Sequence, residues 1–164
     1  MTELDIQTLL DRAAISDVIH DYAAGLDMKD WKLLRTCFAD DFEADFTAAL
    51  PGDVCRDPDE WVDILRSVLS KIEGTQHIIT NHVHDISGDR SKSSAYIQSQ
   101  HVRRAADGSE EHFIFAGFYD YDMVRTPQGW KFGRYAIRPC WTSGNPALIG
   151  LPEAEAAAEI KKSA

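Results

Sequence analysis

Residues 75–104, TQHIITNHVHDISGDRSKSSAYIQSQHVRR, read as two long strands joined by a tight turn at Ser87-Gly88-Asp89. The flanks are rich in β-branched and aromatic residues, and the glycine-containing turn punctuates them as a hairpin. Two more segments of the same character follow at 110–125 and 130–142, set off by Ala106-Asp107-Gly108 and Pro127-Gln128-Gly129. Strands at 75–87, 91–104, 110–125 and 130–142 with such short connections must pair antiparallel, because a parallel crossover needs a dozen or more residues.

The first half of the chain has the other period. From Leu4 to Leu26, the apolar residues Ile6, Leu9, Leu10, Ala13, Ala14, Val18, Ile19, Tyr22 and Leu26 recur at three and four, which predicts a helix with one buried face. A shorter helix is predicted after Asp30, with Trp31, Leu34 and Phe38 on one side, ending in a turn at Ala39-Asp40-Asp41. A third opens on Asp57-Pro58-Asp59-Glu60, an N-cap, a first-turn proline and a reciprocal glutamate, and carries Trp61, Ile64, Leu65, Val68 and Leu69 inward. A short strand from Glu43 to Thr47 is expected at the sheet edge, and the tail EAEAAAEIKKSA after Pro152 as a solvated helix. Three helices followed by a meander make one α+β domain over residues 1–150, with 151–164 as tail. If the sheet curls around the first helix, a cavity opens between them.

Composition narrows the function. At 164 residues and 44% hydrophobic, the chain supports one core. Seventeen basic against 27 acidic residues give a formal charge of −10, which opposes binding to nucleic-acid phosphates or anionic lipid. Cys37, Cys55 and Cys140 are an odd number without CxxC spacing, so they read as reduced thiols rather than a disulfide framework or zinc site. The acidic, amphipathic beginning MTELDIQTLLDR differs from a signal peptide, and a cytoplasmic, unanchored protein is expected.

Tyr22, Asp27 and His77 offer a phenol, a carboxylate and an imidazole, enough to move a proton without a cofactor if they share a pocket. His101 and Asn81 are further polar candidates, and Phe46, Trp61, Phe115, Tyr119 and Tyr135 are candidates for an aromatic wall that binds substrate. Asn81, His82, His84 and Asp85 lie on both faces of one strand with no second cluster to complete a coordination shell, so no metal is expected. TSGNP, residues 142–146, lacks phosphate-loop spacing and reads as a turn over the cavity mouth.

The element order, with LDMKDW (26–31), TQH (75–77), GDRS (88–91) and GWKF (129–132), resembles the SnoaL-like branch of the nuclear-transport-factor-2 (NTF2-like) superfamily over roughly residues 4 to 146. The resemblance implies an NTF2-like cone, three helices packed on a strongly curved, mostly antiparallel sheet. It is similar in particular to scytalone dehydratase, bile-acid 7α-dehydratase and hexachlorocyclohexane dehydrochlorinase. By that resemblance Asp27 is the essential aspartate and His77 the histidine that accepts the proton in an elimination. Tyr22 stands where the bile-acid enzyme has a tyrosine that would polarise a carbonyl or leaving hydroxyl. His101 stands near the second histidine of scytalone dehydratase, although a slip of one residue would put Gln100 in the pocket instead. Leu26 and Phe46 replace the two tyrosines that scytalone dehydratase uses to hold a water, and Tyr135 replaces an arginine of the dehydrochlorinase. The implied function is a cofactor-independent lyase acting on a small hydrophobic or aromatic hydroxy-carbonyl compound, with neither enzyme's own substrate carried over. Isomerisation, polyketide-type cyclisation and retro-aldol cleavage remain open with the same residues. So does a non-catalytic role as a small-molecule binding module or an assembly subunit like that of ring-hydroxylating dioxygenases. The family's exposed sheet faces imply a homodimer or homotrimer.

Overall fold

The predicted hairpins are present with ends shifted by one or two residues. A computed structural model describes residues 6–49 and 52–151. In chain order these form α1 (Ile6–Asp27), α2 (Trp31–Thr36), β1 (Phe38–Asp45), α3 (Pro58–Leu69), β2 (Gly74–Ser87), β3 (Arg90–Arg104), β4 (Glu110–Thr126), β5 (Gly129–Gly144) and a 3₁₀ turn (Pro146–Ile149). The predicted tail helix lies outside the described residues. The sheet order is β1-β5-β4-β3-β2, with β1 parallel to β5 and every other pair antiparallel.

Local chemistry starts the two short helices as expected. The Asp30 carboxylate accepts from the backbone N–H groups of Lys32 and Leu33, and Asp57 accepts from those of Asp59 and Glu60. The expected turn at Ala39-Asp40-Asp41 is instead part of β1, which begins at Phe38 and carries its irregularity between Phe38 and Glu43. Phe38, Ala39 and Phe42 are buried while Asp40 and Asp41 bulge outward, so polar residues that read as a turn are the outer edge of a bulged strand.

Three further bulges bend the long strands, at Thr80/Val83 between β2 and β3 and at Ala116/Gly117 and Asp122/Met123 between β4 and β5. At the second of these a Cβ on Gly117 would lie 2.2 Å from the Arg138 carbonyl oxygen, so only glycine admits the close approach of β5. The concave face holds the core. Ile15, Ile19, Tyr22 and Leu26 of α1 pack against Tyr121, Tyr135, Phe132 and Phe113, all buried.

The first turns of α1 depart from the periodicity reading. Ile6, Leu9 and Leu10 are more than half exposed, because the inward position at this level is Asp11. That buried carboxylate accepts from Arg125 Nη1 and Nη2 at 2.9 and 2.7 Å and from Trp130 Nε1 at 3.2 Å, and the Arg125 guanidinium stacks on the Trp130 ring. Hydrogen bonding from Arg125 lowers the Asp11 pKa to about 2. An acid whose pKa falls on folding contributes stability above its ordinary range and loses it as pH falls toward the folded value. Asp11→Asn should therefore lower the thermal midpoint at neutral pH by roughly 5 °C, and should flatten the loss of stability between pH 4 and 2. Scanning calorimetry of both proteins across that range checks this; parallel pH curves would contradict it.

Candidate active site

Helix α1 ends with a carboxylate, which its own dipole disfavours at that terminus. Asp27 is the last residue of α1, and Lys29 follows in the left-handed region with φ 55, breaking the helix at once. The Lys29 Nζ donates to the Ile72 carbonyl at 2.6 Å and fixes the turn. Thus held, Asp27 reaches β2. One carboxylate oxygen accepts from the His77 backbone N–H at 2.8 Å and the other bonds the His77 Nδ1 at 2.7 Å. A carboxylate can only accept, so Nδ1 donates, and in the neutral ring Nε2 is the nitrogen that keeps its lone pair.

His77 lines a cavity of about 110 Å³ together with Ser99 and His101 of β3, Phe115 and Tyr119 of β4, and Ile137 of β5. Val68 and Leu69 of α3, Phe46 and Ala49, and Ile149 and Leu151 after the sheet complete an apolar rim. The turn predicted from TSGNP does approach this cavity: Asn145 caps the 3₁₀ turn that delivers Ile149. The register pairs Thr75 with His101 and puts His101 on the concave face, which resolves the choice against Gln100. The rings of His77 and His101 are 5.7 Å apart and perpendicular. Burial, helped by the nearby His77, pushes the His101 imidazole down to about 4, so it is neutral at neutral pH.

Four other expected residues sit elsewhere. Tyr22 is fully buried one layer behind the wall, its hydroxyl 2.8 Å from that of Tyr135, and neither residue lines the cavity. Trp61 stands behind Phe46, ring centroids 4.8 Å apart. Asn81 is exposed: it occupies the β2 bulge with φ 57, a conformation asparagine tolerates. The bulge changes the phase of the strand. His77 and Ile79 face inward before it, His82, His84 and Ile86 after it, and Asn81 is turned out.

That change of phase assembles a second polar cluster, illegible from alternation alone. Ser16 of α1 bonds His82 Nδ1 and His84 Nε2, each at 3.0 Å, and His84 Nδ1 bonds Ser93 at 2.8 Å. The ring of His20 lies 5.2 Å from that of His82. Among the described residues no group of three or more His, Cys, Asp or Glu side chains is arranged to hold a metal ion. The three cysteines are free, with Cys37 buried and Cys140 exposed.

Residues 7–136 match the family model of the SnoaL-like domain. The chain belongs to the SnoaL-like family. Among solved structures, the SnoaL-like chain is similar to the Kfla4162 protein of Kribbella flavida, with 28% identity and TM-score 0.80 over 90% of this chain and 100% of that one. A Novosphingobium aromaticivorans protein assigned as a scytalone dehydratase shares 25% identity and TM-score 0.72 over 88% and 97% of the two chains. The dehydrochlorinase LinA-type3 of Novosphingobium barchaimii shares the fold, with 20% identity and TM-score 0.72 over 91% and 99%. The NTF2-like cone and its superfamily are thereby established, and proteins named for eliminations stand among those that share it. No helix among the described residues is long and apolar enough to cross a membrane.

Long-range ¹H–¹⁵N spectra of the SnoaL-like protein should show His77 protonated at Nδ1 and bare at Nε2, and His101 titrating at about 4. In Asp27→Ala the His77 ring should become a mixture of tautomers. A wild-type His77 carrying its proton on Nε2 would contradict this assignment.

Proposed function

We propose that this SnoaL-like protein is a cofactor-independent lyase of the dehydratase type, with His77 as its base, acting on a small hydrophobic or aromatic hydroxy-carbonyl compound. The observation that carries the reading is the bond between Asp27 and His77 Nδ1 at 2.7 Å, on a residue that lines the cavity. In an elimination next to a carbonyl, Nε2 removes the proton on the carbon between the carbonyl and the hydroxylated carbon. The C–H electrons form the new double bond as the C–O bond breaks, and the proton leaves with the hydroxyl as water. Asp27 stabilises the imidazolium formed on the way, without itself taking the proton. His101, neutral and close by, is placed to hydrogen-bond the departing oxygen. The apolar rim of Phe46, Phe115, Ile137 and Leu151 suits a hydrophobic body and excludes water from the step. The dehydratase named among the similar structures supports the same reaction class.

The test is a panel of β-hydroxy ketones followed by ¹H NMR for the unsaturated product. Wild type should turn over at least one member. His77→Ala should lose at least ~10²-fold in turnover while keeping its far-ultraviolet circular dichroism. Asp27→Asn should lose activity by a comparable factor, because an amide cannot stabilise the imidazolium. Full activity in His77→Ala would end the mechanism.

A further inference from the structure

Behind the cavity lies a group of phenols that the acid–base pair does not use. The Tyr22 and Tyr135 hydroxyls are 2.8 Å apart and fully enclosed. Two hydroxyls sharing one hydrogen bond use one of their two protons, and the accepting hydroxyl must send its own proton to a third group. Tyr121 stacks on Tyr135, but its buried hydroxyl makes no hydrogen bond among the described residues. Tyr119 is the remaining phenol. Its ring meets that of Tyr135 at 4.8 Å and that of Tyr22 at 6.3 Å, both edge to face. Of these four tyrosines, Tyr119 is the one that lines the cavity with His77 and His101.

We infer that Tyr119 is the hydrogen-bond donor to the substrate's carbonyl oxygen, a catalytic residue, with Tyr22 and Tyr135 as positioning residues behind it. The inference rests on reading the His77 cavity as the active site. Hydrogen bonding from Tyr135 and Tyr22 falls on the Tyr119 oxygen, which leaves the Tyr119 proton free to serve a group in the cavity that this residue lines. A phenol that accepts a hydrogen bond is a stronger donor in turn, and the low dielectric around the cluster magnifies the effect. Burial raises the Tyr119 hydroxyl to about 12, against hydrogen bonding from Tyr135 and Tyr22, so it stays protonated and acts as a donor of a hydrogen bond rather than of a proton. The enolate oxygen that develops when His77 removes its proton is thereby met by a preorganised donor. No lysine or arginine belongs to the wall. The group recognised is therefore an uncharged ketone or aldehyde oxygen, and a carboxylate or phosphate would enter with no compensating cation.

The experiment uses acetophenone enriched with ¹³C at the carbonyl, bound to the full chain and observed by NMR. A carbonyl that accepts a strong hydrogen bond resonates downfield of one that accepts none. Bound to wild type the signal should lie downfield of that in Tyr119→Phe, and Tyr119→Phe should bind about tenfold more weakly, the equivalent of one lost hydrogen bond. Tyr22→Phe and Tyr135→Phe should give signals between the two. Loss of turnover in His77→Ala tests the lyase reading separately, so either idea can fail alone. The same carbonyl position in wild type and Tyr119→Phe would overturn the inference. So would failure of wild type to bind acetophenone at millimolar concentration, or a signal lost in Tyr22→Phe alone, which would make Tyr22 the donor.

Discussion

One carboxylate holds two parts of the same residue, and the site depends on it. By taking both the backbone N–H and the ring N–H of His77, Asp27 ties the end of α1 to β2 and fixes the tautomer in a single contact. β2 is an edge strand, so the amide that Asp27 accepts from faces away from β3 and would otherwise need water or another chain. The same carboxylate therefore caps a sheet edge and orients an imidazole. The helix terminus is an unfavourable place for an anion, by about 0.3–1 kcal/mol on an exposed helix. Two charge-assisted hydrogen bonds, each worth roughly 1.5–3 kcal/mol, outweigh that.

The cavity that results is small. About 110 Å³ is well below the roughly 300–1,000 Å³ common for pockets that enclose drug-sized ligands. Its polar groups come from the long strands, while Ala49, Ile149 and Leu151 come from segments outside the sheet. Shape and chemistry are therefore assigned to different parts of the chain. Sheet residues pinned by cross-strand pairing set the geometry of His77, His101 and Tyr119, and the rim sets how large a body can enter. A substrate of several rings must displace the rim, since the sheet cannot widen without breaking its ladder.

The meander and the starts of α2 and α3 were legible because each rests on local chemistry, glycine turns and aspartate caps, and Asp27 and His77 were legible through the family resemblance. What stayed hidden depends on bulges and depth. No alternation pattern shows that Asn81 adopts φ 57 and reverses the facing of everything after it. Tyr22, Tyr119, Tyr121 and Tyr135 all look like core or wall residues, and only the layering of α1 over β4 and β5 decides which one reaches the cavity. The exposed Ile6, Leu9 and Leu10 were misread because a charged residue, Asp11, occupies the inner stripe, and a buried carboxylate becomes plausible only once Arg125 and Trp130 are seen beside it.

The two histidine groups on β2 show how environment divides one residue type between tasks. His77 faces a carboxylate, which holds its Nδ1 and orients the ring toward the cavity wall. His82 and His84 face serines and each other. Burial first, and then neighbouring positive charge from His20 and His82 respectively, lowers the pKa of both, His84 to about 4. Their bonds to Ser16 join α1 to β2 without placing a charge in that contact. Helix α1 is thus fastened to the same strand twice, by the Asp27 carboxylate on His77 and by the Ser16 hydroxyl on His82 and His84. The bulge at Asn81 is what allows both sets of rings to face the helix, because a regular strand would have turned His82 and His84 toward solvent.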